Sequence, residues 1–278
     1  MKETAVVTGA SSGFGLLTAL ELAQQGFYVF AAMRNPEKGS ELVRKAEAIG
    51  VSEQIEILQL DVTKEESIDN FKGLVQHMSR LDVLVNNAGY AGAGFVEEIP
   101  LSEYRTQFET NVFGLIAVTQ ACLPVMRANR KGKIINVSSI SGKIGFPGLS
   151  PYVASKHALE GWSECLRLEM KPFGVEVSLV EPGSFKTNIW STGKQITEKS
   201  LQVDSPYYSY MQKLDNELKR GESSYGDPTD VAKMIAEIAR AKEPSLRYPI
   251  GKGVRTSLAL KNVLSWKRWE RIFLKKLT

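Results

Sequence analysis

Short apolar runs alternate with helix-like segments along most of the chain, and this alternation restricts the fold more than any other feature. The runs are almost continuously apolar, without the regular change from apolar to polar that a half-exposed strand requires. Such runs are typical of parallel strands that are buried on both faces of a sheet. We predict seven strands, at residues 4–8, 27–33, 55–60, 81–86, 133–139, 175–180 and 246–250.

The segments between these runs have helical periodicity, and Gly26 ends the first of them. Predicted helices occupy residues 15–25, 36–50, 64–79, 101–128, 152–170 and 228–242. Repeated strand–helix units with right-handed crossovers produce a doubly wound sheet. We therefore predict an α/β fold of the Rossmann type, with a doubly wound, mostly parallel seven-stranded sheet and helices on both faces. All 278 residues fit in one such domain, 1–278.

The formal net charge of +4 is unevenly distributed. Residues 261–278 contain six basic residues and one acidic residue, so the rest of the chain has a charge of about −1. A body without excess positive charge argues against a nucleic-acid-binding surface, and we predict no nucleic-acid partner.

The few cysteines and histidines argue against a disulfide framework and against a metal site. Two cysteines do not make a disulfide framework, which suits a reducing compartment. The two histidines occur without a CxxC or HExxH motif, so we predict no metal site. The sequence has no apolar leader before the first strand and no run of about 18 apolar residues, and we predict a cytoplasmic protein without a spanning helix.

Three glycines separate the first strand from the first helix, in the order Gly9, Gly13 and Gly15. Glycine permits a tight turn and a close approach of the backbone to a pyrophosphate, and the helix N-terminus offers free N–H groups to phosphates. We predict that this turn binds a dinucleotide; the alternative is a tight turn with close helix packing. The predicted binding residues of the turn are Gly9, Ser11, Ser12, Gly13, Phe14 and Gly15.

Arg34 follows the second strand, at a place where an acidic residue would bind an adenosine ribose and favour NAD. An arginine can instead pair with a 2′-phosphate through two parallel hydrogen bonds. We predict NADP as the cofactor, with NAD as the alternative. Arg34 as a plain surface residue is the competing interpretation.

Tyr152 and Lys156 are four residues apart at the start of a predicted helix, so both lie on one face of it. A nearby ammonium favours the ionised form of a phenol, and we expect it to lower the tyrosine pKa. Ser139 lies thirteen residues before Tyr152, at the end of a strand. A tyrosine and a lysine at this spacing mean little alone; together with Ser139 and the glycine turn they predict an acid/base site.

These motifs, in this order, resemble the short-chain dehydrogenase/reductase family, and the resemblance covers residues 3–252. Residues 140–159 loosely resemble its hydroxysteroid and retinol dehydrogenases. The positions that carry the resemblance, besides the glycine turn, are Asp61, Val62, Asn86, Asn87, Ala88, Gly89, Asn111, Ser139, Tyr152, Lys156, Pro182, Gly183 and Thr187.

The resemblance implies a role for each position. Tyr152 would exchange a proton with the substrate oxygen, Ser139 would hydrogen-bond the same oxygen, and Lys156 would bind the nicotinamide ribose. Asn111 would hold a water that links the lysine to solvent. The remaining cofactor contacts would be Asp61 and Val62 at the adenine, Asn87, Ala88 and Gly89 after the fourth strand, and Pro182, Gly183, Phe185 and Thr187 at the nicotinamide.

Four of these positions have plainer interpretations. Asn111 would be a structural asparagine that bends its helix, and Asp61 an N-cap of the next helix beside Thr63. Asn86 and Asn87 would form a turn and also line the cofactor site.

The predicted function is that of an NADP(H)-dependent oxidoreductase that interconverts an alcohol and a carbonyl on a small hydrophobic substrate. Segments 90–95, 142–149 and 185–226 would build its substrate pocket. Within them, 188–226 is the one long region without clear periodicity, and its aromatic residues would line the pocket or close the core or a subunit contact. These residues are Trp190, Tyr207, Tyr208, Tyr210 and Tyr225. The alternative function is a non-catalytic NADP-binding or membrane-associated regulatory protein.

The C-terminal extension, 253–278, is basic and amphipathic. Trp266, Trp269, Phe273 and Leu277 fall on one helical face. We favour a helix that packs on the body or on a partner subunit over peripheral contact with a membrane. The long helices 101–128 and 152–171 are the expected contacts of a homodimer or homotetramer.

Overall fold

The central sheet of the computed structural model, which describes residues 2–187, 189 and 193–275, has the strand order β3-β2-β1-β4-β6-β7-β9. Every pair of neighbouring strands in it is parallel. The seven-stranded, doubly wound α/β fold is therefore confirmed. Its strands are β1 (Thr4–Thr8), β2 (Tyr28–Met33), β3 (Ile55–Gln59), β4 (Val83–Asn86), β6 (Gly132–Val137), β7 (Val175–Pro182) and β9 (Arg247–Ile250).

Helices cover both faces of this sheet because the central strands are buried on both sides. One core cluster includes Val7, Leu22 and Ile235, and the other includes Val6, Leu84 and Met126. The helices are α1 (Gly13–Gln24), α2 (Ser40–Ala48), α3 (Glu65–Gln76), α4 (Leu101–Phe108), α5 (Leu115–Ala128), α6 (Ser150–Met170), α7 (Tyr208–Gly221), α8 (Pro228–Arg240), α9 (Val254–Val263) and α10 (Trp266–Leu274).

A second, two-stranded sheet pairs β5 (Ala91–Ala93) with β8 (Lys194–Ile196) above the carboxyl ends of the main strands. The expectation that 188–226 is irregular throughout was wrong, since β8 and the 14-residue helix α7 lie within it. Met211, Leu214 and Leu218 recur at helical spacing within α7, although only Met211 is buried, so the sequence does indicate this helix. Trp190 lies outside the described residues.

The predicted helix 101–128 consists of α4, a π-helical turn at Glu109–Gly114, and α5. By length and composition this segment is apolar enough to cross a membrane, in contrast to our expectation. Half of its most apolar window is buried inside the fold, and Val118 and Cys122 pack in the core under the sheet. Core helices of this kind meet the same criterion, so the segment is weak support for a membrane span.

The C-terminal extension folds as α9 and α10, and α10 packs on the body. Trp269 is buried, and the Phe273 ring meets the Phe146 ring edge to face at 5.7 Å between centroids. Packing on the body, the arrangement that we favoured, is thus what the structure has. Trp266 remains 64% exposed, and Leu277 lies outside the described residues.

Candidate active site

The chain turns sharply between β1 and α1, and glycine makes this turn possible. Gly9 and Gly13 have φ angles of +67° and +54°, in the left-handed region that residues with a Cβ rarely adopt. A Cβ at Gly9 would lie 2.8 Å from Ala88 Cα, and one at Gly15 would overlap the carbonyl group of Gly9. Because α1 begins at Gly13, the unpaired N–H groups of its first turn lie at this loop.

Thr8 and Asn87 fasten the glycine turn to the end of β4. Thr8 Oγ1 accepts hydrogen bonds from the backbone N–H groups of Asn87 (3.0 Å) and Ala88 (3.1 Å). In return, Asn87 Nδ2 donates to the carbonyl oxygens of Thr8 (2.9 Å) and Gly9 (3.1 Å). Thr8 was not predicted as a site residue, and it holds two binding segments in register.

A cleft of about 490 Å³ opens beside this turn, at the carboxyl ends of the strands. Gly15 packs behind the turn, against Gly9 and Asn87. The predicted cofactor residues that line the cleft are Gly9, Ser11, Ser12, Gly13, Phe14, Arg34, Asp61, Val62, Asn87, Ala88, Gly89 and Thr187. It therefore unites segments from five strand ends in the place where this fold binds ligands.

Asn86 does not belong to this lining, although we expected it there. It is the last residue of β4, and its Nδ2 donates to Thr119 Oγ1 and Asn136 Oδ1, both at 2.9 Å. Asn86 is thus part of a buried polar network beneath the site. Only Asn87 of the pair faces the cleft.

The far end of the cleft contains Arg34 and Asp61. Arg34 is exposed and has no ion-pair partner within the part of the chain that the structure describes. Asp61 Oδ1 accepts hydrogen bonds from Thr63 N (3.0 Å) and Thr63 Oγ1 (2.8 Å). Because α3 begins only at Glu65, Asp61 shapes the turn before the helix, and its interpretation as the N-cap was wrong.

A smaller cavity of about 60 Å³ adjoins the cleft and shares Phe14, Asn87 and Thr187 with it. Ser139, Tyr152 and Lys156 line this cavity together, and so do Pro182, Gly183 and Phe185. Ser139 follows β6 and begins a short helical turn, in which its Oγ accepts a hydrogen bond from Ser141 N at 3.1 Å. Tyr152 and Lys156 occupy the first two turns of α6.

Tyr152 is 3% exposed and shares a hydrogen bond with Ser139. Burial raises the pKa of Tyr152 to about 12, and the hydrogen bond with Ser139 opposes this rise. The expected lowering of this pKa by Lys156 is therefore not what these residues produce. Burial in a low-dielectric site penalises the phenolate more than its neighbours stabilise it.

Lys156 is buried beside the tyrosine, with its Nζ 5.7 Å from the Tyr152 ring centroid. The ammonium donates a hydrogen bond to the carbonyl oxygen of Val137 at 2.8 Å, which fixes it against β6. Burial lowers the pKa of Lys156 to about 8, while the charge of Glu160 opposes the change.

Asn111 lies in the π-helical turn and holds the loop after β4. Its Nδ2 donates to Tyr90 O (3.1 Å) and Ser155 Oγ (3.2 Å), and its Oδ1 accepts from Tyr90 N (3.2 Å). Gln107, which the sequence did not single out, holds the same loop by two hydrogen bonds. Its Nε2 donates to Tyr90 O (3.0 Å), and its Oε1 accepts from Gly92 N (2.6 Å). The structural interpretation of Asn111 thus has direct contacts in its favour, and its role in holding a water stays a prediction.

The aromatic residues of the predicted pocket divide into two groups. Tyr207 stacks on Phe95 at 4.5 Å between ring centroids, and Tyr210 contacts the same ring at 5.1 Å, so these side chains close a local core. Phe185, in contrast, lines the small cavity and meets Phe14 edge to face at 5.7 Å.

Two features of the cleft are ones that a dinucleotide would complete. At Gly13 the turn leaves open space that a Cβ would enter, and Thr187 Oγ1 is buried without a hydrogen-bond partner among the described residues. Thr187 also stands over the turn, since a Cβ at Gly13 would lie 3.7 Å from its own Cβ. The residues present therefore fit an extended phosphate-containing cofactor.

The chain is similar to proteins of one known family. A family model described as short chain dehydrogenase matches residues 3–197. The chain is 50% identical to the uncharacterized oxidoreductase YusZ of Bacillus subtilis, over 99% of each chain. It is 36% identical to a 3-ketodihydrosphingosine reductase of Bacteroides thetaiotaomicron, over 91% of this chain and 90% of the relative.

Two further similarities extend over nearly the whole chain. An NADPH-dependent 3-dehydrocapnine reductase of Ornithobacterium rhinotracheale is 34% identical, over 99% of this chain and 98% of that one. Among solved structures, a short-chain dehydrogenase from Streptomyces avermitilis superposes with a TM-score of 0.83 at 35% identity, over 98% of both chains.

Proposed function

The chain belongs to the short-chain dehydrogenase family, and from that premise we propose that it is an NADP(H)-dependent reductase of ketones or aldehydes on hydrophobic substrates. The observation that carries the proposal is that Ser139, Tyr152 and Lys156 line one cavity, which adjoins the glycine-turn cleft. A proton donor then stands next to the place where a nicotinamide would lie.

Tyr152 would act as the acid in reduction. When bound, the nicotinamide cofactor supplies the hydride for the carbonyl carbon. The phenol donates its proton to the carbonyl oxygen, and Ser139 Oγ holds that oxygen by a hydrogen bond. A burial-raised pKa suits this direction, because the phenol stays protonated and ready to donate at neutral pH.

Lys156 would bind the ribose hydroxyls through its ammonium, which Val137 O already orients. Its charge also stabilises the phenolate that proton donation leaves behind. In the direction of alcohol oxidation the same phenolate would accept the hydroxyl proton.

NADP is the proposed cofactor because the free guanidinium of Arg34 stands at the end of the cleft opposite the small cavity. A bidentate pair with a 2′-phosphate would satisfy it. The name of the NADPH-dependent relative supports the same choice.

Apolar side chains line part of the small cavity, beside the polar groups of Ser139, Tyr152 and Lys156. Phe185 and Ile189 are among these apolar residues, and two of the relatives are reductases by name. A hydrophobic ketone fits such a lining.

We also propose a homodimer or homotetramer. Phe113 and Leu168 are 54% and 77% exposed on the long helical segments that we expect to form subunit contacts. Exposed apolar side chains on such helices favour burial against a second copy. Analytical ultracentrifugation of a Leu168→Arg variant would show a shift toward monomer if this helix forms the contact.

The experiment that tests the proposed activity is turnover of a panel of hydrophobic ketones with NADPH. Tyr152→Phe should lose about 10²–10⁴-fold in kcat while it still binds NADPH. Tyr28→Phe is the matched control, since Tyr28 hydrogen-bonds Glu56 at the surface, far from the cavity. Binding of NADPH without turnover of any ketone would support the non-catalytic alternative and refute the reductase.

A further inference from the structure

The outer face of α10 is a row of cations. Lys267, Arg271 and Lys275 recur at intervals of four residues, and Arg268 lies beside them. All four are exposed, and none has an ion-pair partner within residues 2–187, 189 and 193–275. Glu270 is the single acidic residue of the helix.

Exposed apolar side chains flank this row. Trp266 is 64% and Val263 82% exposed at the junction of α9 and α10, and Ile272 and Leu274 are about half exposed. The Lys261 ammonium lies 4.0 Å from the Trp266 ring centroid, which keeps the indole at the surface beside a charge. A cationic row edged by tryptophan and aliphatic side chains is the composition of helices that lie in a membrane interface.

The opposite face of α10 packs on the loop between Ser139 and Tyr152. Phe273 packs on Phe146, which belongs to the loop between Ser139 and Tyr152. The same loop touches α7, where a Cβ at Gly148 would lie 3.0 Å from Leu214 Cδ1. A surface bound to the outer face of α10 would therefore lie on the side of the molecule that carries this loop.

We propose that the outer face of α10 docks on an anionic lipid surface and holds the loop between Ser139 and Tyr152 toward it. Charge complementarity selects this occupant, because the net positive charge of the chain lies in residues 261–278 and the rest of the chain has a net charge of about −1. The apolar flanks favour a lipid bilayer over a polyanion such as nucleic acid, since they would enter the acyl boundary. Uptake of a hydrophobic ketone from the bilayer rests on the proposed function; the docking itself does not.

Vesicle sedimentation of the full-length protein tests the docking. Vesicles that contain phosphatidylglycerol should bind it, and vesicles of phosphatidylcholine alone should bind it at least tenfold more weakly. Each basic residue at an anionic surface strengthens binding by about fivefold. The variant K267A/R268A/R271A/K275A should therefore lose at least tenfold in affinity, and added salt should weaken the wild type in the same way.

The matched control is R44A/K72A/K233A/K242A, which removes four exposed cations from the body. It should bind vesicles as the wild type does. Trp266→Ala should reduce binding without any change of charge. Circular dichroism establishes that each variant is folded.

Three results would overturn the docking. One is equal binding of anionic vesicles by the wild type and by K267A/R268A/R271A/K275A. Another is an equal loss of vesicle affinity in that variant and in R44A/K72A/K233A/K242A. The third is self-association in solution that K267A/R268A/R271A/K275A abolishes and that prevents vesicle binding by the wild type. A second copy of the chain would then cover the outer face of α10. NADPH turnover of a water-soluble ketone is measured separately. A failure to bind vesicles therefore leaves the proposed reductase activity untouched, and a failure to reduce ketones leaves the docking proposal untouched.

Discussion

The Lys156 ammonium lies 5.7 Å from the ring centroid of Tyr152 and donates its hydrogen bond to Val137. Both groups are buried, and burial opposes the charged form of each. It raises the pKa of the phenol to about 12 and lowers that of the ammonium to about 8. In the free protein, the lysine is thus the member of the pair that titrates near physiological pH.

This pair predicts a pH profile for ketone reduction. We expect kcat/KM for NADPH to be level below about pH 8 and to fall above it, because Lys156 then loses the charge that binds the ribose. Tyr152 stays protonated throughout this range. In Lys156→Arg, whose guanidinium does not titrate, the activity should be lower but the fall above pH 8 should disappear. If kcat/KM still falls above pH 8 in Lys156→Arg, the titrating group is not Lys156.

Gly15→Ala should damage the dinucleotide end of the cleft. The new Cβ would overlap the carbonyl group of Gly9 and lie 2.5 Å from Asn87 Nδ2, so the glycine turn and the loop after β4 must separate. We expect at least a tenfold weaker NADPH affinity and a loss of about 1–3 kcal/mol in unfolding free energy. Fluorescence titration and thermal melts measure the two effects.

Gly73→Ala is the control for this change. A Cβ at Gly73, in the middle of α3, meets nothing within 4 Å. It should leave NADPH affinity unchanged and stabilise the helix by up to about 1 kcal/mol. Normal NADPH binding by Gly15→Ala would show that the tight packing of the turn is not needed for the cofactor.

Most of the sheet was predictable from sequence because buried parallel strands must be apolar almost throughout. The strands β5 and β8 have three residues each, and Ala91–Ala93 has no periodicity to find. Such short strands depend on their neighbours, which a sequence pattern does not contain. The helix α7, in contrast, was missed although Met211, Leu214 and Leu218 recur at helical spacing within it.

The site was predictable where chain spacing determines it. Tyr152 and Lys156 share a helix face, and the three glycines share a turn. Thr8 and Gln107 act through hydrogen bonds to loops that are distant in sequence or follow no periodic spacing, so no pattern singles them out. The direction of the Tyr152 pKa was missed because burial is a property of the folded chain.

Arg34→Ala should separate the two nicotinamide cofactors. Arg34 lines the cleft and is free to pair with a 2′-phosphate, so its loss should raise KM for NADPH by about ten- to a hundredfold. KM for NADH should change by less than about twofold, because NADH lacks that phosphate. Arg44→Ala, which removes an exposed arginine of α2, should change neither value. Parallel increases for both cofactors in Arg34→Ala would contradict the 2′-phosphate contact.

The last prediction concerns a buried carboxylate beside the site. Glu181 Oε1 lies 3.2 Å from Arg247 Nε, and Glu160 Oε2 lies 3.0 Å from the same nitrogen. Burial, with the charge of Glu160 second, raises the pKa of Glu181 to about 7, and Arg247 opposes the rise. An acid whose pKa is raised on folding stabilises the protein fully below its unfolded value of 4.5, and this contribution is lost as the pH rises through about 7.

Glu181→Gln should therefore increase the unfolding free energy at pH 8 by about 1–3 kcal/mol and so raise the melting temperature. This increase in stability should vanish below about pH 5. Glu164→Gln is the control, because Glu164 binds the same arginine but its pKa is lowered by that contact. Its substitution should give no gain at pH 8. Melts of both variants and the wild type across this pH range measure the difference, and a gain in Glu181→Gln that is equal at pH 5 and pH 8 would mean that titration of this carboxyl is not its cause.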